Sequence, residues 1–157
     1  MKLKTESQEL KNRPDPPSGA PSKDFPSAKA SFLSNGPQQL GRSGEDVAQS
    51  YLEEKGFQIL TRNWRDGHRE IDLIALDGPF LVFAEVKTRR GAHAERPELA
   101  VDKIKQKNMA RAAAAWLIAN TGKLPAFKEI RYDVLAIRLV NERFRVLHVP
   151  DAFFPGS

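Results

Sequence analysis

Cysteine is absent from the 157 residues, which excludes disulfides and thiolate metal sites and fits a reducing interior. No apolar run approaches the length that a membrane-spanning helix needs. The opening "MKLKTESQEL" lacks the apolar core of a secretory signal, so the cytoplasm is the expected location, with no membrane partner. No internal repeat occurs at a solenoid period. The glycine-rich "GRSG" before Glu45 lacks the lysine of a phosphate-binding loop, so it is a weak nucleotide cradle.

What is present suits one soluble globular domain. The chain is 40% hydrophobic and 29% charged, and its length holds one compact core rather than two. The net charge is +5, of which residues 1–40 carry +2 from six Lys/Arg and four Asp/Glu. That mild basic excess is compatible with a nucleic-acid partner and does not require one.

Texture divides the chain in two. Residues 1–40, with "NRPDPPSGAPSKDFPSAKASFLSNGPQQ", are rich in Pro, Ser and Gly and lack a hydrophobic period. They read as a disordered extension, because so little apolar surface does not offset the entropy of ordering. Residues 41–157 read as the folded domain. "GRSGEDVAQSYLEEKG" predicts a helix with Ser43 as N-cap and Gly56 as stop, and Glu45 falls on the inward edge of its apolar stripe. "FQILTRNW" is a first strand, and "REIDLIAL" and "FLVFAEVKT" are two more around "DGP", a hairpin signal. "RPELAVDKIKQKNMARAAAAWLIAN" is a long helix, and "IRYDVLAIRLV" and "RFRVLHV" are two further strands joined at Asn141-Glu142. The expectation is an α/β fold, a mixed central sheet flanked by helices in the order α-β-β-β-α-β-β.

The hairpin carries the chemistry. If Asp77-Gly78 is its two-residue turn, Leu76 pairs with Pro79, Ile74 with Leu81, Asp72 with Phe83 and Glu70 with Glu85. One face then holds Ile74, Leu81 and Phe83 near the turn, and Asp72, Glu70, Glu85 and Lys87 toward the open end. Asp72 and Glu85 become diagonal neighbours, roughly 5–8 Å apart. The other face holds Ile71, Leu73, Ala75, Val82, Ala84 and Val86, a set suited to a core. The like charges of three carboxylates so placed repel, each is costly to desolvate, and a divalent cation relieves both costs. Mg²⁺ or Mn²⁺ takes one or two carboxylates plus water and phosphate oxygens. Such an ion activates water and neutralises charge on a phosphate, with Lys87 beside it to orient the water or stabilise the phosphate. A cross-strand salt-bridge set on a solvated edge is the plainer alternative for an isolated E-x-K.

Five blocks in order, "GEDVAQSYLEEKGF", "EIDLIA", "EVKTR" and "RYDVLAI" among them, resemble the YraN-like family of bacterial proteins over about Gly41 to Phe154. That family is assigned to the PD-(D/E)XK nuclease superfamily, near the Holliday-junction resolvase folds. The resemblance implies a restriction-endonuclease-like core of α-β-β-β-α-β order and a metal-dependent nuclease site. Its acidic position falls on Asp72, its E-x-K on Glu85 and Lys87, and its helical glutamate on Glu45. Ile71 stands where the motif names proline, and Arg69 where the family commonly has glycine. The implied metal ligands are Asp72, Glu85 and Glu45, with Lys87 completing the catalytic set.

Other residues are secondary. Glu70 is a second-tier carboxylate that supports rather than catalyses. Lys103, Lys107 and Arg111 recur every four residues as a basic stripe able to follow a phosphate backbone, or as a solvated helix face. Arg89 and Arg90 follow the E-x-K strand and suit a phosphate contact. His68 and His93 lack metal-ligand spacing; His148 reads as packing or surface, Asp133 as structural, and Trp64 and Trp116 as core or rim. Two functions compete: a Mg²⁺- or Mn²⁺-dependent endonuclease acting on DNA, including branched or structured DNA, and a nucleic-acid-binding module without turnover. A resolvase-like enzyme needs two active sites, hence a symmetric homodimer.

Overall fold

The computed structural model describes residues 23–25, 36–90, 101–140 and 143–155, with side chains from Gly44 onward except that of Arg90. Its elements are β1 (Lys23–Phe25), α1 (Gly36–Glu54), β2 (Gln58–Asp66), β3 (Arg69–Asp77), β4 (Phe80–Arg90), α2 (Lys103–Ala119), β5 (Glu129–Val140) and β6 (Arg143–Val149). One sheet runs in the order β1-β6-β5-β4-β3-β2. All neighbours are antiparallel except β4 and β5, which run parallel. From α1 onward this is the expected order and a mixed sheet. Of the Pro/Ser-rich stretch 1–40, residues 1–22 and 26–35 lie outside the described residues, while 23–25 pair with β6.

Both helices begin elsewhere than their sequences suggest. Ser43 is not the cap of α1, which already starts at Gly36 and carries Pro37 in its first turn, where a missing N–H costs nothing. The stop at Gly56 is as expected: its φ of +89° is the left-handed conformation that glycine tolerates. Phe57 N–H then reaches Leu52 O and Gly56 N–H reaches Glu53 O, each at 3.0 Å, the double closure of a Schellman end. For α2 the expected start at Arg96 falls among residues 91–100, outside the described residues. Asp102 is the observed N-cap, extended at φ −65° and ψ 161°, and its carboxylate accepts the Lys105 N–H at 2.7 Å.

The hairpin register also differs. Asp77 pairs with Phe80, Leu76 with Leu81, Ile74 with Phe83 and Leu73 with Ala84, so the turn residues are Gly78 and Pro79 rather than Asp77 and Gly78. Proline has no N–H to give to a ladder, and Gly78 takes φ +54°, as the first central residue of a type II′ turn must. The shift is two residues, one full side-chain period, so the faces survive it.

Each face packs under one helix. Leu73, Ala75, Val82 and Ala84 join Ala48, Tyr51 and Leu52 of α1, together with Leu135, Ile137, Phe144 and Val146. Ile74, Leu76, Leu81 and Phe83 join Ala112, Ala113 and Trp116 of α2. Ile71 was expected with Leu73 and is the exception: it packs in the α2 cluster beside Ile74. The alternation of β3 therefore breaks between Leu73 and Ile71, at Asp72.

Asp133 and His148 are both structural. Asp133 is fully buried and binds Arg131 Nε at 2.8 Å and Nη2 at 2.9 Å, the Asp151 N–H at 3.0 Å and His148 Nε2 at 2.8 Å. Arg131 extends the network to Asp77 at 2.9 Å and lies over the rings of Phe57 and Phe80. Burial alone pushes the Asp133 carboxyl up, but hydrogen bonds from His148 and Arg131 outweigh it and hold the group below the ordinary range.

Candidate active site

β3 and β4 part at Asp72. Their ladder ends at Leu73 and Ala84, while β4 stays paired with β5 through Arg90. The next positions along the two strands are Asp72 and Glu85, which makes them direct rather than diagonal neighbours. The parting would leave the Val86 N–H without a strand partner, and Asp72 supplies one: its Oδ2 accepts that N–H at 2.7 Å. One carboxylate oxygen thus closes the fork, and the side chain is fixed beside Glu85.

The pair is held in an unfavourable electrostatic state. Burial, then the charge of Glu85, raises the Asp72 carboxyl from 3.8 to about 7, against the Val86 hydrogen bond and the Lys105 charge, which lower it. Glu85 is raised as well, chiefly by burial, with Lys105 and then Lys87 opposing. Two carboxylates that both resist ionisation at one point mark a place built for a positive charge.

Lys105 answers part of that demand. Its ammonium stands 3.1 Å from Glu85 Oε2 and 3.8 Å from Glu70 Oε1. Burial lowers the affinity of this amine for its proton, but Glu85, Asp72 and Glu70 together raise it. The 3.1 Å contact to the buried Oε2 of Glu85 is poorly aligned for a hydrogen bond, so charge carries most of the pairing. Sequence reasoning passed over Lys105 because it lies off the Lys103, Lys107 and Arg111 stripe. The signal was there: Lys105 stands four, seven and eleven residues before Met109, Ala112 and Trp116, all buried on α2. It leaves the helix on the face toward the sheet.

The remaining expected residues fall around this centre. Lys87 acts on Glu85 as a nearby positive charge. Glu70 is half-exposed, within 3.7 Å of Arg65 as well as near Lys105, which gives it an ion-pairing place at the rim. Glu45 comes from α1, across the opposite face, and its effect on Asp72 is the smallest of those resolved. Gly44 sets that approach: a Cβ there would lie 1.9 Å from Thr88 Oγ1, so only glycine lets α1 lie this close to β4. Arg89 is exposed, its guanidinium turned back to the Thr88 carbonyl at 3.2 Å. The Arg90 side chain and His93 lie outside what is described, and His68 is exposed in a turn. Lys103, Lys107 and Arg111 are exposed along α2. Trp116 is core, donating to Thr61 Oγ1 at 3.0 Å, and Trp64 is half-buried at the edge of the same cluster.

Among the described residues, no three His, Cys, Asp or Glu side chains converge closely enough to hold a metal ion on their own. Glu45 therefore does not close a three-carboxylate cage with Asp72 and Glu85. Two adjacent carboxylates with an unaligned buried oxygen do fit an ion such as Mg²⁺, which keeps several waters and draws other ligands from a substrate phosphate.

The sequence model described as "Uncharacterised protein family UPF0102" matches residues 44–137, a stretch that includes Glu45, Asp72, Glu85, Lys87 and Lys105. A UPF0102 protein of Bacteroides thetaiotaomicron is 41% identical over 117 residues, covering 74% of this chain and 93% of that relative. One from Geobacter metallireducens is 41% identical over 116 residues, covering 74% and 93%. One from Rhodococcus opacus is 43% identical over 115 residues, covering 73% and 95%.

Proposed function

This chain belongs to the uncharacterised protein family UPF0102, and we propose that within it the protein is a Mg²⁺- or Mn²⁺-dependent endonuclease that hydrolyses DNA phosphodiester bonds, structured or branched DNA included. The observation that carries this reading is the pair of half-buried Asp72 and buried Glu85 at the point where β3 and β4 part, with Lys87 two residues further along β4. The arrangement suits the PD-(D/E)XK nucleases that the sequence resembles. The protein is proposed to work in the cytoplasm, and a resolvase-like reaction would use a homodimer. Among the described residues no helix is long and apolar enough to cross a membrane.

Asp72 and Glu85 would hold the ion, with Glu45 acting from across the sheet. A bound divalent ion supplies charge neutralisation at the phosphate and a more acidic water. The protein's own groups do the rest. Asp72 is fixed by the Val86 N–H and does not need to reorganise when an ion arrives. The Lys87 ammonium carries positive charge beside Glu85, where it can orient a water or meet a phosphate oxygen. Arg89, Arg90 and the stripe of Lys103, Lys107 and Arg111 offer cationic contacts to the phosphate backbone.

One observation favours the second reading, a nucleic-acid-binding module without turnover: Lys105 already neutralises part of the carboxylate charge. One experiment separates the two. Linear duplex, single-stranded, flap and four-way-junction DNA are incubated with Mg²⁺, Mn²⁺ or chelator, using wild type, Asp72→Ala and Glu85→Ala. Metal-dependent cleavage lost in both variants is expected. Salt-sensitive binding that persists in the variants, with no product under any condition, would overturn the nuclease in favour of the module.

A further inference from the structure

Lys105 lies outside the E-x-K motif, yet its ammonium stands against the site carboxylates, 3.1 Å from Glu85 Oε2 and 3.8 Å from Glu70 Oε1. Three features make that position provisional. The ammonium meets the Glu85 oxygen at 3.1 Å but off the favoured angle, so the hydrogen bond lost when the amine leaves is a weak one. The lysine stem is flexible, with three rotatable donors on a four-carbon chain. The group is anchored on the first turn of α2, capped by Asp102, so the backbone stays in place while the amine moves.

We propose that Lys105 is a resident counter-ion, which holds the place of a divalent cation in the metal-free protein and gives it up when the ion and a phosphodiester bind together. This rests on the nuclease reading. An ammonium and a divalent ion repel strongly at contact distance, so both do not stay against Glu85. An ion arriving alone displaces the ammonium without offering it another partner. An ion arriving with a polyanion leaves a phosphate oxygen near the site for Lys105 to meet. Metal and nucleic acid thereby bind cooperatively through one side chain, and the coupling is reciprocal. Lys105 is a positioning residue in this scheme: it sets the order of assembly and does not act on the scissile bond.

The test uses the full chain and two binding measurements. Free Mn²⁺ is counted by electron paramagnetic resonance in the absence of DNA. Duplex affinity is read by fluorescence anisotropy with and without Mn²⁺. Lys105→Met keeps the stem and removes the charge, and Lys105→Gln is a second neutral variant should Met impair folding. Loss of the like charge is expected to tighten Mn²⁺ binding on the order of tenfold without DNA. It should also remove most of the gain in duplex affinity that Mn²⁺ gives wild type, while Lys105→Arg keeps that gain. Neutral variants that bind Mn²⁺ no tighter than wild type, or that keep the full Mn²⁺-dependent gain, overturn the proposal. Asp72→Ala separates the two failures. If it binds Mn²⁺ as wild type does, the ion is not at these carboxylates, and the nuclease reading falls together with this one. If it loses Mn²⁺ while Lys105→Met is unchanged, only the role of Lys105 falls.

Discussion

Asp72→Asn should stabilise the metal-free protein, and by an amount that depends on pH. The Asp72 carboxyl is raised from 3.8 to about 7 by burial and by Glu85. A group raised in this way favours folding below its unfolded value and loses that advantage as pH climbs through the folded value. At about 1.4 kcal/mol per pH unit, the ionised group costs at most roughly 4 kcal/mol at pH 8. Partial solvent access reduces this, and a gain of about 2 kcal/mol for asparagine is the working figure. Asparagine keeps an oxygen for the Val86 N–H, so the fork itself is preserved. For a domain of this size the gain is roughly 8 °C in Tm at pH 8, shrinking toward zero by about pH 4. The assay is thermal unfolding of wild type and variant in chelator between pH 4 and pH 8.5. The difference belongs to the Asp72–Glu85 pair rather than to one residue, because the two titrate together. Saturating Mn²⁺ should reverse it, stabilising wild type and leaving the variant behind. An asparagine variant no more stable than wild type at pH 8, or one with the same advantage at pH 4.5, would refute the account of the site as electrostatically strained.

Asp133→Ala strands Arg131 and His148 in the interior and should cost about 3–5 kcal/mol in urea denaturation. Because the Asp133 carboxyl is held below its ordinary value of 3.8, its contribution should be present in full above that pH and fade only as pH falls through the lower folded value. Gly44→Ala would ordinarily stabilise a helix by about 1 kcal/mol. Here the new Cβ meets Thr88 Oγ1 at 1.9 Å and Thr88 Cβ at 3.0 Å, so net destabilisation of about 1–2 kcal/mol is expected by chemical denaturation.

Much of this was legible from residue pattern alone, and the misses have physical causes. The alternation in "EIDLIAL" and "FLVFAEV" gives both faces of the hairpin correctly except at Ile71, even with the turn two residues away, because a two-residue slip keeps side chains on their own face. Asp-Gly signals a turn at 77–78, but Pro79 has no N–H for the ladder and takes the second turn position instead. The neighbourhood of Asp72 and Glu85 followed from that pattern. The parting of the strands did not, because it depends on β5 holding β4 while β3 leaves, a tertiary fact. Lys105 was missed for a related reason. Its meaning depends on which side of α2 meets the sheet, and the regular spacing of Lys103, Lys107 and Arg111 drew attention to the other side. Ile71 was assigned by alternation at the residue where alternation breaks.

The parallel pairing of β4 with β5 has a topological consequence. Antiparallel strands can be joined by a tight turn, but parallel neighbours require the chain to travel back the length of the strand before it can pair. α2 makes that return journey, and it lies over the face that carries Ile74, Leu81 and Phe83. Its first turn therefore arrives above the end of the same face, where Asp72 and Glu85 stand. The connection that completes the sheet is thus also the one that delivers an ammonium group to the carboxylates, so closing the fold and balancing its charge are a single event in the path of the chain.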